Sequence, residues 1–345
     1  VIIIGGEHYN TLGLIRSLGE KGININLILI TNRENHISKS KYVTNKWVVN
    51  NRADAILEAM NIIASENTGK ISVYPTSDQV MQILDENYDL LKEKFIIPNI
   101  RSKQGEITKL MNKSRMNKVA HEVGLDVPLS KEIALNSDIN YNYATEIINF
   151  EYPIIIKPLT SNLGKKEDIV VCNSESEFND SMLRLSNAYD RILVQEYING
   201  HDQKMIEIIG CSYDDGNSVI IPGIIEKIRE YPSNAGSTSY ARLVQTSSYI
   251  NLDLVKKLIK KIGYNGLFDI EFKYANGKTY FIEINFRNGA PGYSITKAGV
   301  NLPYIWLLLN MLGSTLSEET KIKKNIYLMS ELRDIRHVFN KEVKI

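Results

Sequence analysis

Two glutamates and an amide stand inside β-type sequence between residues 269 and 287, with Asp269 beside them, and they define the chemistry to look for. One apolar run ends Asp269-Ile270-Glu271-Phe272, and the next reads Tyr280-Phe281-Ile282-Glu283-Ile284-Asn285-Phe286-Arg287. Carboxylates among apolar neighbours are costly to bury unless a cation meets them. Glu271, Glu283 and Asn285 offer oxygen ligands of the kind Mg²⁺ prefers, with coordination positions left over for phosphate. Arg287 adds a positive charge, which suits a Mg²⁺–polyphosphate site. An ordinary amphipathic edge hairpin with solvated acids is the alternative these residues leave open.

The intervening Asn276-Gly277 is a strong turn signal. A two-residue loop pairs Ala275 with Lys278 and sends Glu271 and Glu283 to opposite faces. A three-residue loop, Ala275 to Gly277, returns Asp269, Glu271, Phe281, Glu283 and Asn285 to one face. The metal-site reading therefore expects the longer, bulged loop.

Other residues carry weaker signals. Lys157 closes the run Ile154-Ile155-Ile156-Lys157-Pro158, where partial desolvation calls for an anionic partner, either a phosphate or an internal carboxylate. Ser161-Asn162-Leu163-Gly164-Lys165-Lys166 is a polar loop rich in backbone donors. It can fold over phosphates or simply be a solvated connection. Gln195-Glu196-Tyr197-Ile198 leaves a strand and meets Asn199-Gly200-His201-Asp202; it suits an adenine edge and ribose hydroxyls, or a turn capped by Asp202. Arg229 and Arg242 flank a Gly/Ser-rich stretch and suit a substrate carboxylate or surface acids. Asp78, in Pro75-Thr76-Ser77-Asp78, meets a ligand or caps the next helix. Gly5-Gly6-Glu7-His8 lacks the full dinucleotide glycine spacing and reads as a tight strand-to-helix turn.

These residues need a scaffold, and the chain is long enough to supply one. At 345 residues it has room for two or three domains with substantial cores. Strand, helix and strand alternate from Val1 to Ile97: strands at 1–4, 25–30, 71–74 and 95–97, helices near 52–64 and 79–91. This order predicts a parallel α/β region. A boundary is expected near 102–110. Asn112 is the expected N-cap of a helix over 113–123. Strands follow at 154–158, 169–172, 192–197, 204–209, 219–228 and in the acidic hairpin.

Composition excludes several classes. The chain is 43% hydrophobic and 23% charged, with a formal net charge of +1, which gives no footprint of a nucleic-acid partner. Cys172 and Cys211 form no close metal or redox motif, and the five histidines have no zinc spacing. Two free thiols and no signal-like segment point to a cytoplasmic protein. The apolar run around 305–309 is too short for a membrane span, which needs roughly 20 residues. The chain opens at Val1 rather than Met, so residues missing before it are expected.

The order of the charged positions then becomes specific. Lys113, Lys157 with its polar loop, the Gln195–Asp202 segment, and finally Glu271, Glu283 and Asn285 together resemble the ATP-grasp superfamily, over roughly 110–312. The resemblance implies an α/β fold: a preceding α/β domain at 1–108, a first ATP-grasp subdomain at 109–194 and a second at 195–345. It implies that Lys113, Lys157, Ser161 and Lys227 contact the nucleotide, with Gln195 and the backbone of Glu196 and Ile198 on adenine and Asp202 on ribose. Glu271, Glu283 and Asn285 would hold Mg²⁺ or Mn²⁺. Lys157, Arg242 and Arg287 would act on the reacting groups, Arg287 by orienting acyl-phosphate oxygens. The loop is poorer in glycine than in biotin-carboxylase-like members, and Gln195 stands where Glu is common.

The implied activity is ATP-dependent ligation of a small carboxylate to an amine through an acyl phosphate, as in carboxylate–amine ligases of the D-aspartate ligase kind. The implied partners are ATP and amino-acid-like substrates, with a homodimer compatible. Alternatives are a carbamoyl-phosphate-synthase or carboxylase type of ATP-grasp enzyme, a non-catalytic nucleotide-binding regulator, and a dinucleotide-dependent oxidoreductase. The absence of a duplicated half, glutaminase region and biotinyl carrier argues against a complete enzyme of the first type, and the weak glycine pattern against the last.

Overall fold

The computed structural model describes every residue except 33–34, 136–141, 161–167, 201–203, 232–236, 313–318, 332–333 and 336–345. The chain forms two compact units. The first gathers Val1–Thr108, Ile206–Ile270 and Ile284–Ile345; the second gathers Lys109–Met205 and Glu271–Glu283.

The first unit begins with strands β1 (Ile2–Gly5), β2 (Ile25–Ile30), β3 (Val43–Val49), β4 (Ile71–Pro75) and β5 (Phe95–Ile96). They form a parallel sheet in the order β3-β2-β1-β4-β5. Ile2, Ile3 and Ile4 are fully buried, as expected where helices cover both faces and strands read as continuous apolar runs. Helices α1 (Tyr9–Gly19), α2 (Ala53–Ser65) and α3 (Asp78–Glu86) connect the strands. His8 caps α1 by accepting from the Asn10 N–H, and Ser77 caps α3 by accepting from Val80. Asp78 is therefore the first helical residue rather than the cap.

Asp85 on α3 is fully buried and accepts from the N–H groups of Ile107 (3.3 Å) and Thr108 (2.7 Å). These are donors in the first turn of helix Glu106–Leu110, which has no partners of its own there. Burial pushes the Asp85 carboxyl pKa up, against the pull of those hydrogen bonds. Asp85→Ala leaves both donors unpaired and should destabilise the chain by about 2 kcal/mol, read as a lower urea midpoint.

A short strand, β6 (Asn99–Ile100), follows in the first unit. The second unit is built on β7 (Ser130–Ala134), β8 (Ile154–Pro158), β9 (Val170–Cys172) and β10 (Arg191–Glu196), an antiparallel sheet in the order β7-β10-β8-β9. Its isoleucine run divides by strand alternation. Ile154 and Ile156 enter a core with Phe178, Met182 and Val194, which leaves Ile155 and Lys157 for the other face. Asn112 caps helix Lys113–Glu122 through the Arg115 N–H, as expected.

The third sheet contains β11 (Lys204–Tyr213), β12 (Ser218–Ile220), β13 (Ile224–Tyr231), β14 (Ser237–Val244), β15 (Tyr264–Ala275), β16 (Lys278–Asn285) and β17 (Ile326–Met329). Its order is β16-β15-β11-β13-β14-β17, with β12 on β11 and β6 on β15. The strand expected over 219–228 is split at Pro222-Gly223, where proline withdraws a ladder donor. Ile209, Leu243, Ile305 and Trp306 join Leu14 and Leu27 in one core of the first unit. Among the described residues, no helix is long and apolar enough to cross a membrane.

Candidate functional site

In the second unit, Lys157 is the centre of the charged residues. It sits two residues along β8 from Ile155, which pairs with Gln195 on β10. Lys157 and Gln195 therefore share a face, and Lys157 Nζ donates to Gln195 Oε1 at 2.8 Å. The N–H of Lys113 donates to the Leu159 carbonyl at 2.9 Å, fastening the start of helix Lys113–Glu122 to the end of the same strand. Burial pushes the Lys157 ammonium pKa down to about 8. Glu283 pulls it back up, as does Glu271 more weakly, while Lys113 and Lys273 push it further down.

The hairpin that carries the two glutamates corrects the expected loop. β15 ends at Ala275 and β16 begins at Lys278. Asn276 and Gly277 both take left-handed backbone conformations, with φ of 52° and 79°, as a two-residue type I′ turn demands. The buried rings of Phe272 and Phe281 stand 6.0 Å apart, edge to face. The two-residue loop sets these rings directly across from one another, whereas the three-residue loop would divide them between faces. Glu271 and Glu283 still act on one ammonium, because Coulomb attraction works through space and needs no shared face.

The rest of the hairpin is fixed within the second unit. Phe281 N–H donates to the Asp126 carbonyl at 2.8 Å, and Asn276 Nδ2 to the Asn199 carbonyl at 3.1 Å. Lys273 Nζ lies 4.7 Å from the centre of the Tyr197 ring, a cation–π contact. Of the residues expected on adenine, Gln195 and Ile198 are buried. The Glu196 N–H donates to the Leu129 carbonyl at 2.8 Å, and its carboxylate accepts from the Leu129 N–H at 3.2 Å. Ser161 and Asp202 lie outside the described residues.

The first unit holds the other candidates. Arg287 Nε donates to Asp78 Oδ1 at 2.9 Å, Nη1 donates to the Asn288 carbonyl at 3.2 Å, and Nη1 lies 3.8 Å from Asp269 Oδ2. Asn285 is buried, with Nδ2 3.5 Å from Asp269 Oδ2. Lys227, expected on the nucleotide, has a side chain only 3% exposed and stands 3.7 Å from the equally buried Glu207. Thr238 Oγ1 donates to that carboxylate at 2.9 Å.

Both arginines proposed for a substrate carboxylate have acids of their own. Arg242 is half-exposed and bonded to Glu226 at 2.7 Å. Arg229 makes a two-bond contact with Asp334 (2.9 and 2.6 Å) and stacks on Tyr240. Each arginine is thus paired with an acid in this structure, Arg242 with the partly exposed Glu226 and Arg229 with the buried Asp334. Glu207 was not singled out from sequence. The signal was present, since it stands in Met205-Ile206-Glu207-Ile208-Ile209 much as Lys157 follows its isoleucines.

By chemistry Glu271, Glu283 and Asn285 are oxygen donors of the kind Mg²⁺ takes, with no imidazole or thiolate among them. The two-residue turn, however, sends Glu271 and Glu283 to opposite faces of the hairpin, so its register does not by itself bring the three together. Glu271 and Glu283 are half-buried, and Asn285 is buried. Glu283, Glu271, Lys113 and Lys273 all act on the Lys157 ammonium within the second unit.

The model of the ATP-grasp domain family matches residues 110–291. D-aspartate ligase of Enterococcus faecium is 23% identical over 316 residues, covering 87% of this chain and 74% of that protein. Carbamoyl phosphate synthase large chain of Buchnera aphidicola is 30% identical over 241 residues, but the match spans 68% of this chain and only 21% of that one. Among solved structures, L-amino acid ligase from Bacillus licheniformis superposes with a TM-score of 0.71 over 94% of this chain and 78% of its own, at 14% identity. That likeness shows the fold.

Proposed function

Because this chain belongs to the ATP-grasp domain family, we propose that it is an ATP-dependent ligase joining a small carboxylate to an amine of amino-acid type. The carrying observation is Lys157: its ammonium donates to Gln195 at 2.8 Å, burial lowers its pKa to about 8, and Glu283, Glu271, Lys113 and Lys273 all act on it. Such a group gains most when phosphate arrives, because bound anion offsets its desolvation. The likeness to D-aspartate ligase over most of both chains favours an amino-acid substrate.

In this reading residues 1–108 precede two ATP-grasp subdomains at 109–194 and 195–345. Lys113 and Lys157 bind the phosphates, and the strand end at Gln195–Ile198 takes the adenine. Glu271, Glu283 and Asn285 would hold Mg²⁺, which supplies charge neutralisation during phosphoryl transfer. The substrate carboxylate oxygen attacks the γ-phosphorus and ADP leaves, giving an acyl phosphate. The amine nitrogen then attacks the acyl carbon, phosphate leaves, and the amine gives up a proton. Arg287 orients the acyl-phosphate oxygens, and water must be kept out while this species lasts.

The test is ADP and phosphate release from Mg-ATP across a panel of amino acids and small carboxylates, with product mass. Release that needs two substrates together, with a condensed product, is expected. Bicarbonate-dependent release without condensation would favour a carbamoyl-phosphate-synthase type, to which part of the chain is 30% identical. Nucleotide binding without turnover on any pair would favour a regulator.

A further inference from the structure

We propose that Asp78 is the positioning residue for Arg287, so that the N-terminal α/β region forms part of the catalytic machinery. The inference rests on the reading in which Arg287 faces the reacting oxygens. An arginine side chain has many rotamers to lose, so a guanidinium that must present one edge to a substrate needs anchors on its others. Asp78 accepts from Nε at 2.9 Å and the Asn288 carbonyl from Nη1 at 3.2 Å. Two acceptors on different nitrogens fix the plane of the group. Its side chain is 17% exposed and that of Asp78 18%, so the contact is shielded from much of the solvent screening that weakens surface pairs.

Asp78 is itself held. It opens α3, whose N-terminus favours a carboxylate, directly after the Ser77 cap. The loop bearing Arg287 is tied to the same place by a reciprocal amide pair. Asn10 Nδ2 donates to the Asn288 carbonyl (2.8 Å) and to the Thr76 carbonyl (3.2 Å), and Asn288 Nδ2 donates to Asn10 Oδ1 (2.7 Å). All of these groups are buried. Gly289 lets the loop lie close against the third sheet, since a Cβ there would sit 2.5 Å from Ile209 Cδ1 and 3.0 Å from Asp269 Cγ.

Three segments are thus locked together: the start of α1 with Asn10, the passage from β4 to α3 with Thr76 and Asp78, and the loop after β16. Strands β1 and β4 are neighbours where the chain order of the parallel sheet reverses. Open α/β sheets place ligands at that switch point, outside the carboxyl ends of the strands. Here a charged contact from that point reaches an arginine carried by the third sheet.

The test uses the full chain with Asp78→Ala, Asp78→Asn and Arg287→Lys, alone and combined. Misplacing one reacting group costs on the order of 100-fold, so Asp78→Ala should lower kcat about that much with KM for ATP unchanged. Asp78→Asn keeps an oxygen acceptor for Nε and should recover most of the loss. In the Arg287→Lys background, which lacks Nε–H, Asp78→Ala should add nothing. Effects that multiply in the double variant, or a parent-like kcat for Asp78→Ala, would overturn the proposal. The Arg287 Nε–H resonance gives a readout independent of turnover. It should be protected from exchange in the parent and in Asp78→Asn, and unprotected in Asp78→Ala. Protection that does not depend on Asp78 overturns the positioning role, whereas a parent that ligates no substrate pair overturns only the ligase reading.

Discussion

Glu283→Gln should lower substrate-dependent ADP release by about 1,000-fold, the scale on which removing one preorganised electrostatic contact acts. The substitution keeps the side chain's shape and deletes its charge, so the fold should survive with a melting temperature close to that of the parent. Two consequences follow from the geometry of the second unit. The proposed metal loses one of its two carboxylates, and Lys157 loses the largest attraction that holds its proton. The ammonium should therefore titrate below about 8 in this variant, which NMR of the lysine can follow. Unimpaired turnover across a range of Mg²⁺ concentrations would sink the metal assignment.

Lys157→Met should weaken ATP binding by about 100-fold at pH 7, in line with the loss of a charge-assisted contact worth roughly 1.5–3 kcal/mol. The pH dependence is the sharper measurement. Free Lys157 has a pKa of about 8, and phosphate favours its charged form, so the bound site must hold the proton more tightly. Nucleotide binding at pH 8 should then take up about half a proton, and at pH 6 almost none. Affinity should fall progressively as pH rises above 8. Calorimetry in buffers of differing ionisation enthalpy reads the uptake directly, and it should vanish in Lys157→Met.

The same shift sets a sign for stability without nucleotide. An unfolded lysine titrates near about 10.4, above the folded value. The unfolded chain therefore binds more protons between pH 8 and that value, and stability should rise through this window as the buried charge is relieved. A parent that binds ATP without proton uptake at pH 8 would show that Lys157 does not meet the phosphates.

Much of this was legible from local pattern. The isoleucine run of β8 and the lysine closing it, the Asn112 cap, the alternation that builds the parallel sheet and the Asn276-Gly277 turn all act over a few residues. There, backbone preference and apolar periodicity are strong. Legibility stopped where a partner came from elsewhere. For Arg242 and Arg229 the sequence leaves a substrate carboxylate and an internal acid equally open; Glu226 stands 16 positions from Arg242 and Asp334 stands 105 from Arg229. Nothing near either arginine in sequence names its acid. The hairpin register is likewise decided beyond the acids themselves, by Phe272 and Phe281 meeting across the two-residue loop.

The sequence by itself determined the family and the kinds of group available, because ordered charges in apolar strands record what the site must hold. It also determined the turn, since Asn-Gly fits two successive left-handed positions with little strain. Only the tertiary structure decided which charges are committed to one another. Lys227 is buried on Glu207, Arg287 is held by Asp78 across 209 positions, and Lys157 gathers Glu283, Glu271, Lys113 and Lys273 around one ammonium. Electrostatic energy depends on distance and burial, and the fold sets both between residues far apart in the chain.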